Sequence, residues 1–328
     1  MLENSQLNEA PVFVQVKELK KYFPRGNIFT PKHLRYVQAL NGVNLSINRG
    51  EVMGIVGESG CGKSTLGRLL VRSDLPTQGE IIYEGENIEK LDKRKLHLFR
   101  QKVQYIFQDP YSSFNPRMKI RQSLSEPLQI MGYRKAEIAD KTDFVLGSLG
   151  LSKEMLDKYP SQLSGGQLQR MAICRVLLLD ADFIISDEIV SALDVSIQAQ
   201  LLNLLCRIQM EKNLTILFIS HDLNVIKFIS DRVAVMYLGK IVEIGTTKDI
   251  LGNPMHPYTI SLFSSLPLTD PRQRRPKGSI LKGDVPSPIN PPSGCKFRTR
   301  CPKVQEMCAE KEPDLTNFDS HYVACFFI

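Results

Sequence analysis

The sequence has no apolar run near the roughly 18 residues that a membrane-spanning helix needs. Its longest candidates, "RVLLLDADFII" and "RVAVMYLGKIV", are short and broken by charge. The first residues, "MLENSQLNEAP", are polar and acidic, so no secretory leader is expected there. No internal repeat recurs, and no compositional bias points to a disordered or fibrous chain. These absences leave a soluble, cytosolic chain as the expectation. At 328 residues it can bury a full-sized core, and length alone suggests about two domains.

Thiols are few but unevenly placed. Four of the seven cysteines (Cys295, Cys301, Cys308 and Cys325) fall within the last 34 residues. A reducing cytosol disfavours disulfides, so such a group suggests a metal or cofactor site. The spacing, C-x5-C-x6-C-x16-C, lacks the tight pairs typical of zinc fingers and ribbons, whereas iron–sulfur sites tolerate longer loops between four thiolates. Charge is equally local. Residues 270–303 hold Arg272, Arg274, Arg275, Lys277, Lys282, Lys296, Arg298, Arg300 and Lys303 against Asp270 and Asp284, which accounts for the net +7 of the whole chain.

Short β-branched runs alternate with helical patterns, as in a parallel sheet covered by helices. "FVQVKEL" and "VNLSI" predict half-exposed strands, while "EVMGIVG", "KVQYIFQ", "DFIISDE" and "TILFISH" predict buried central ones. Helices are expected over 63–72, 164–179, 195–211 and 222–230, and a hairpin at Leu238-Gly239. After about residue 250, proline-rich segments predict a loop-dominated appendage.

The strongest motif is "GESGCGKST", Gly57 to Thr65, which matches G-x-x-x-x-G-K-[ST] between a strand and a helix. Gly57, Glu58, Ser59, Gly60, Cys61 and Gly62 form a loop whose N–H groups suit phosphate oxygens. Lys63 reaches the β- and γ-phosphates, Ser64 ligates magnesium, and Thr65 completes the motif. Cys61 reads as a small side chain that leaves the backbone free. "FIISDE" sets Asp187 at a strand end, where it can join the magnesium shell, and Glu188 beside it to polarise the attacking water. "LSGGQ", Leu163, Ser164, Gly165, Gly166 and Gln167, presents free N–H groups at a helix N-terminus.

With these motifs in this order, residues 12–250 resemble the ATP-binding-cassette (ABC) ATPases. The resemblance implies an α/β fold of the P-loop NTPase, ABC type, with a parallel central sheet, an antiparallel β subdomain, a helical subdomain over about 109–180, and a small Cys-rich C-terminal appendage. It divides the chain into a tail (1–11), a nucleotide-binding domain (12–250) and a C-terminal region (251–328). It implies that Leu163–Gln167 serve ATP on a partner subunit in a head-to-tail sandwich. It makes Gln108 in "IFQDP" a magnesium-sensing residue beside the membrane subunits. It makes His221 in "ISHD" the γ-phosphate contact, and Ser191, Ala192, Leu193 and Asp194 a loop crossing the dimer interface. An aromatic near the N-terminus stacks on adenine; Phe23 fits that spacing best, and Tyr22 is the alternative. Where the family usually has proline after the Asp-Glu pair, this chain has Ile189.

"NPMHPYT", "VPSPINPPSGCKFRTRCP" and the spaced cysteines resemble the ATPases of oligopeptide, dipeptide and nickel permeases. "KKYFP", "GESGCGKSTLGR" and "FQDPYSSFNPRM" look like the second of two paired subunits. The implied activity is magnesium-dependent ATP hydrolysis driving peptide import at the cytoplasmic face of the membrane. The implied partners are a second, different ATPase, two membrane permease subunits and an external peptide-binding protein. Nickel import is an alternative, and so is an iron–sulfur ATPase acting on nucleic acid or ribosomes. That last class generally carries two cassettes, and the basic stretch has no aromatic interleaving beyond Phe297, so nucleic acid is not an expected partner. In the permease relatives the tail motif is associated with a 4Fe–4S cluster, which ranks first for Cys295, Cys301, Cys308 and Cys325, ahead of zinc and of four reduced thiols. The flanking cations would offset the cluster's charge, meet anionic headgroups, or simply face solvent.

Overall fold

The computed structural model describes residues 12–26, 35–191, 193–264 and 283–328. Chain order begins with β1 (Val12–Arg25) and β2 (Arg35–Asn48), then β3 (Val52–Val56), α1 (Lys63–Leu70), β4 (Gln78–Tyr83) and β5 (Glu86–Asn87). Next come α2 (Lys93–Lys102), β6 (Val103–Ile106), α3 (Ile120–Ile130), α4 (Lys135–Ser148) and α5 (Gly165–Leu178). β7 (Phe183–Asp187), α6 (Val195–Lys212), β8 (Thr215–Ile219), α7 (Leu223–Ile229), β9 (Arg232–Tyr237) and β10 (Lys240–Thr246) complete the central body.

The main sheet runs β11-β12-β10-β9-β3-β8-β7-β6, where β11 (Thr316–Phe318) and β12 (His321–Val323) come from the C-terminal segment. The five strands from β9 to β6 are parallel. β3, β7 and β8 are buried at every position, because layers cover both faces of the sheet. Successive side chains alternate between two cores. Ile216 and Phe218 join the one built with α3 to α7, while Leu217 and Ile219 join the one built with α1, β1, β2 and β4. The antiparallel sheet β2-β1-β4-β5 forms that second layer.

β9 and β10 are joined at Leu238-Gly239, where both residues have positive φ (44° and 77°), the twist that suits a two-residue hairpin. Parallel strands leave their C-terminal ends on one edge, so the loops after β3, β6, β7 and β8 gather there. Those loops carry Gly57, Gln108, Glu188 and His221.

After residue 250 most described residues lie in turns and irregular segments, as the prolines lead one to expect, and a few short elements stand among them. α8 (Thr247–Gly252) and α9 (Pro257–Ser264) follow β10 directly, and α10 (Met307–Glu310) precedes the last two strands. β12 pairs antiparallel with β10 through Glu243↔Val323 and Ile244↔Tyr322, so the tail covers an edge of the main sheet. Phe297, 1% exposed, packs against Tyr237 and Tyr258 inside the first core. Three-residue strands carry too little periodicity to announce themselves; β12 is defined by pairing with β10, and β11 by pairing with β12. The N-terminal tail and the cations at Arg272, Arg274, Arg275, Lys277 and Lys282 lie outside the described residues.

Candidate nucleotide site

Gly57 to Gly62 link β3 to α1. Gly62 sits at φ 109° as the N-cap of α1, and a Cβ there would stand 2.3 Å from the Ala39 carbonyl oxygen. Gly57 is equally confined, since its Cβ would meet the Met236 carbonyl at 2.1 Å. Lys63 Nζ is folded back into the loop, donating to the carbonyls of Gly57 (2.7 Å) and Glu58 (3.1 Å). Ser64 is exposed on the first turn of α1, Thr65 is buried behind it, and Ser59 and Gly60 face solvent. Cys61 is buried, and that burial raises its thiol pKa against the pull of Lys63.

At the end of β7, Asp187 is buried. Its Oδ2 accepts from the Tyr105 hydroxyl at 2.5 Å, while Oδ1 is buried with no hydrogen-bond partner among the described residues. An orphan carboxylate oxygen beside a phosphate loop fits a hydrated magnesium ion. Burial, and then the bond to Asp187, hold the Tyr105 phenol above its usual range.

Glu188 adopts φ 49° and turns its side chain between two neighbouring strand ends. Its Oε2 accepts from Gln108 Nε2 at 2.9 Å and lies 3.2 Å from His221 Nδ1. Three residues from three separate loops therefore meet on one oxygen. Ile189, next after the Asp-Glu pair, is 2% exposed and anchors the turn in the core. Ser191 donates from its hydroxyl and its N–H to the Glu188 carbonyl.

The segment Leu163–Gln167 stands apart: among the described residues no hydrogen bond joins it to Gly57–Thr65. Ser164 caps α5, accepting from Gln167 N–H at 3.3 Å while its own N–H donates to Gln167 Oε1 at 3.0 Å. Leu163 is buried, its carbonyl accepting from Tyr111. Gly165 has open space around it, and Gly166 backs onto Ile197, where a Cβ would stand 2.9 Å away. Asp194 caps α6 through the Ile197 N–H, with Leu193 partly buried before it; Ala192 lies outside the described residues. Tyr22 donates to Asn41 Oδ1, and the Phe23 ring lies under the Lys21 ammonium, 5.0 Å from the centroid.

The C-terminal thiols share one largely enclosed cavity. Cys295, Cys301, Cys308 and Cys325 line it together with Phe297 and Phe327. Burial pushes Cys295 up to about 11 and raises Cys301 and Cys325. Among the described residues no group of three or more His, Cys, Asp or Glu is placed to hold a metal ion.

Three participants escaped the sequence reading: Tyr105, Tyr258 and Arg300. Tyr105 sits three residues before Gln108, but only the β6–β7 register brings it to Asp187. Tyr258 accepts from the Glu58 N–H at 2.9 Å, and Arg300 pairs with the Glu58 carboxylate. No linear pattern connects residues so distant.

Residues 40–191 match the sequence family described as ABC transporter, and residues 242–308 match the oligopeptide/dipeptide transporter C-terminal region. The dipeptide transport ATP-binding protein DppF of Escherichia coli is 47% identical over 317 residues, covering 96% of this chain and 94% of that protein. The oligopeptide transport ATP-binding protein AppF of Bacillus subtilis is 47% identical over 322 residues, covering 95% and 96%. Among solved structures, the post-hydrolysis dimer of the ATP-binding cassette MJ0796 with ADP and Pi is similar at TM-score 0.63 and 29% identity. It covers 71% of this chain and 98% of that one.

These matches correct the expectation of a second, different ATPase. Each peptide-transport relative is named as one ATP-binding protein, and the solved cassette is described as dimeric in itself. The physical reason is visible here: one chain carries both the phosphate loop and the Leu163–Gln167 signature, so a distinct subunit is not needed to supply either half. No described helix is long and apolar enough to cross a membrane. The chain belongs to the ATP-binding proteins of the ABC family of oligopeptide and dipeptide transporters.

Proposed function

We propose that this protein hydrolyses ATP to drive import of oligopeptides or dipeptides through membrane subunits, to which it attaches at the cytoplasmic face. The observation that carries the chemistry is the meeting of Gln108 and His221 on Glu188, beside a loop whose lysine is held ready. Lys63 exchanges its carbonyl partners for the β- and γ-phosphates. Gly57–Gly62 supply N–H groups and the N-terminus of α1 adds its dipole. Ser64, Asp187 and Gln108 would hold magnesium, which would neutralise charge on the phosphates. Glu188 accepts a proton from water as the water oxygen bonds to the γ-phosphorus and the bond to the ADP oxygen breaks. His221 bonds the γ-phosphate. Phe23 stacks on adenine, since Tyr22 is already engaged with Asn41.

Leu163–Gln167 then contact the ATP of a second cassette, with Ser191–Asp194 at the same junction. ATP favours the closed pair, and loss of the γ-phosphate lets it open. A cavity lined by Arg100, Phe107, Ile130 and Arg175, just after β6, offers apolar and cationic groups for a membrane subunit. The peptide substrate follows from the relatives matched along nearly the whole chain. Reconstitution with membrane subunits tests it. Labelled peptide should enter vesicles with ATP and fail to enter with Lys63→Ala, while uptake of nickel but not peptide would overturn the substrate.

We also infer that Cys295, Cys301, Cys308 and Cys325 hold a 4Fe–4S cluster, which would pin the C-terminal segment. Four thiols line one cavity, and four thiolates are what such a cluster takes. Arg298 and Lys303 at the cavity balance its negative charge. Anaerobically purified protein should be brown and contain iron and sulfide; a colourless chain with one zinc would overturn the assignment.

A further inference from the structure

Arg300 reaches from the C-terminal segment into the phosphate loop. Its Nη1 and Nη2 donate to Oε2 and Oε1 of Glu58 at 2.7 and 3.0 Å, a two-pronged pairing that fixes both side chains. The Arg300 side chain is 5% exposed and that of Glu58 25%, so solvent screens the pair poorly. Arg300 is itself held in place. Its N–H donates to the Phe297 carbonyl, and its guanidinium lies 5.9 Å from the centroid of Tyr237, which meets Phe297 edge-on. The loop is gripped a second time by the Tyr258 hydroxyl, which accepts from the Glu58 N–H.

Glu58 is an awkward residue for its position. It places a carboxylate inside a loop that must receive a polyphosphate, one residue from Gly57 and beside Lys63. Unpaired, it would repel the incoming phosphates and compete for the Lys63 ammonium. Paired with Arg300, it is neutralised and drawn toward the C-terminal segment. We propose that Arg300 is a positioning residue for ATP. It cancels the Glu58 charge and fixes the loop backbone, so that nucleotide affinity depends on a side chain 242 residues away in the C-terminal segment. This rests on Gly57–Thr65 being the ATP site.

The test is binding of adenylyl imidodiphosphate with magnesium to the full chain, by calorimetry, under conditions where circular dichroism shows each variant folded. Arg300→Gln should weaken binding roughly tenfold. Adding Glu58→Gln to Arg300→Gln should recover most of that loss, because the unpaired carboxylate is gone. A residue that merely fastened the tail would give no such rescue. Unchanged affinity in Arg300→Gln, or a double variant as weak as the single, overturns the proposal. If Arg300→Gln does not fold, Arg300→Lys replaces it, since an ammonium keeps the charge but loses the two-pronged bond. Hydrogen exchange at residues 57–62 should then quicken and affinity should fall. Unchanged exchange and affinity overturn the proposal. Lys63→Ala separates the underlying reading: if the unaltered chain does not bind, or Lys63→Ala binds equally well, the ATP site itself falls and this proposal with it.

Discussion

The carboxylate of Glu188 lies 3.2 Å from Nδ1 of His221, although the two residues follow different strands, β7 and β8. Parallel pairing of those strands, with Asp187 opposite Ile219, brings their C-terminal loops side by side. In the mechanism proposed above, this carboxylate takes a proton from water while the imidazole bonds the γ-phosphate.

Replacing Glu188 by Gln keeps the contact with Gln108 but removes the proposed base. Turnover in the assembled transporter should fall by about 10²–10³, with ATP affinity nearly unchanged. Steady-state phosphate release and nucleotide binding, measured on the same preparation, separate the two. Undiminished turnover would remove Glu188 from this role.

Tyr105→Phe deletes a single hydroxyl from the buried Asp187 carboxylate. Stability should drop by about 1 kcal/mol, and the freed carboxylate should reorient, raising the magnesium concentration needed for half-maximal activity. Denaturant melts and a magnesium titration read the two effects. A stability loss with unaltered magnesium dependence would reduce Tyr105 to packing.

Phe297→Ala removes the ring that Tyr237, Tyr258 and His256 surround. The cavity should cost about 3–5 kcal/mol and expose the segment from Cys295 onward to protease. Calorimetry and limited proteolysis check both. An unaltered melting temperature would show that this segment does not share the core.

Thiol reactivity should follow burial. Cys174 is fully buried, with its pKa pushed up to about 12, and Cys61 is buried and likewise raised. Alkylation of the native chain at pH 8.5 should reach the half-buried Cys206 before Cys61 and Cys174, which should stay unlabelled until unfolding. Peptide mass spectrometry gives the order. Early labelling of Cys61 would mean that the phosphate loop opens far more than its packing allows.

Much was legible because it is local. A phosphate loop needs glycines where the backbone must turn left-handed or pass close to another carbonyl, and those constraints fall within nine consecutive residues, Gly57 to Thr65. Central strands buried on both faces need uninterrupted apolar residues, which "DFIISDE" and "TILFISH" supply. The hairpin at Leu238-Gly239 was legible in the same way.

Tertiary structure decided what depends on distant segments meeting. Strand register set Tyr105 against Asp187. An open edge on β10 turned three residues near the C-terminus into a strand. The partners of Glu58, Tyr258 and Arg300, come from a region whose sequence reads only as prolines, cations and thiols. Sequence by itself determined the residues and their local backbone shapes. Hydrogen bonds and charge pairs act over a few ångströms, so which residues work together was settled only when folding placed Arg300 beside Glu58.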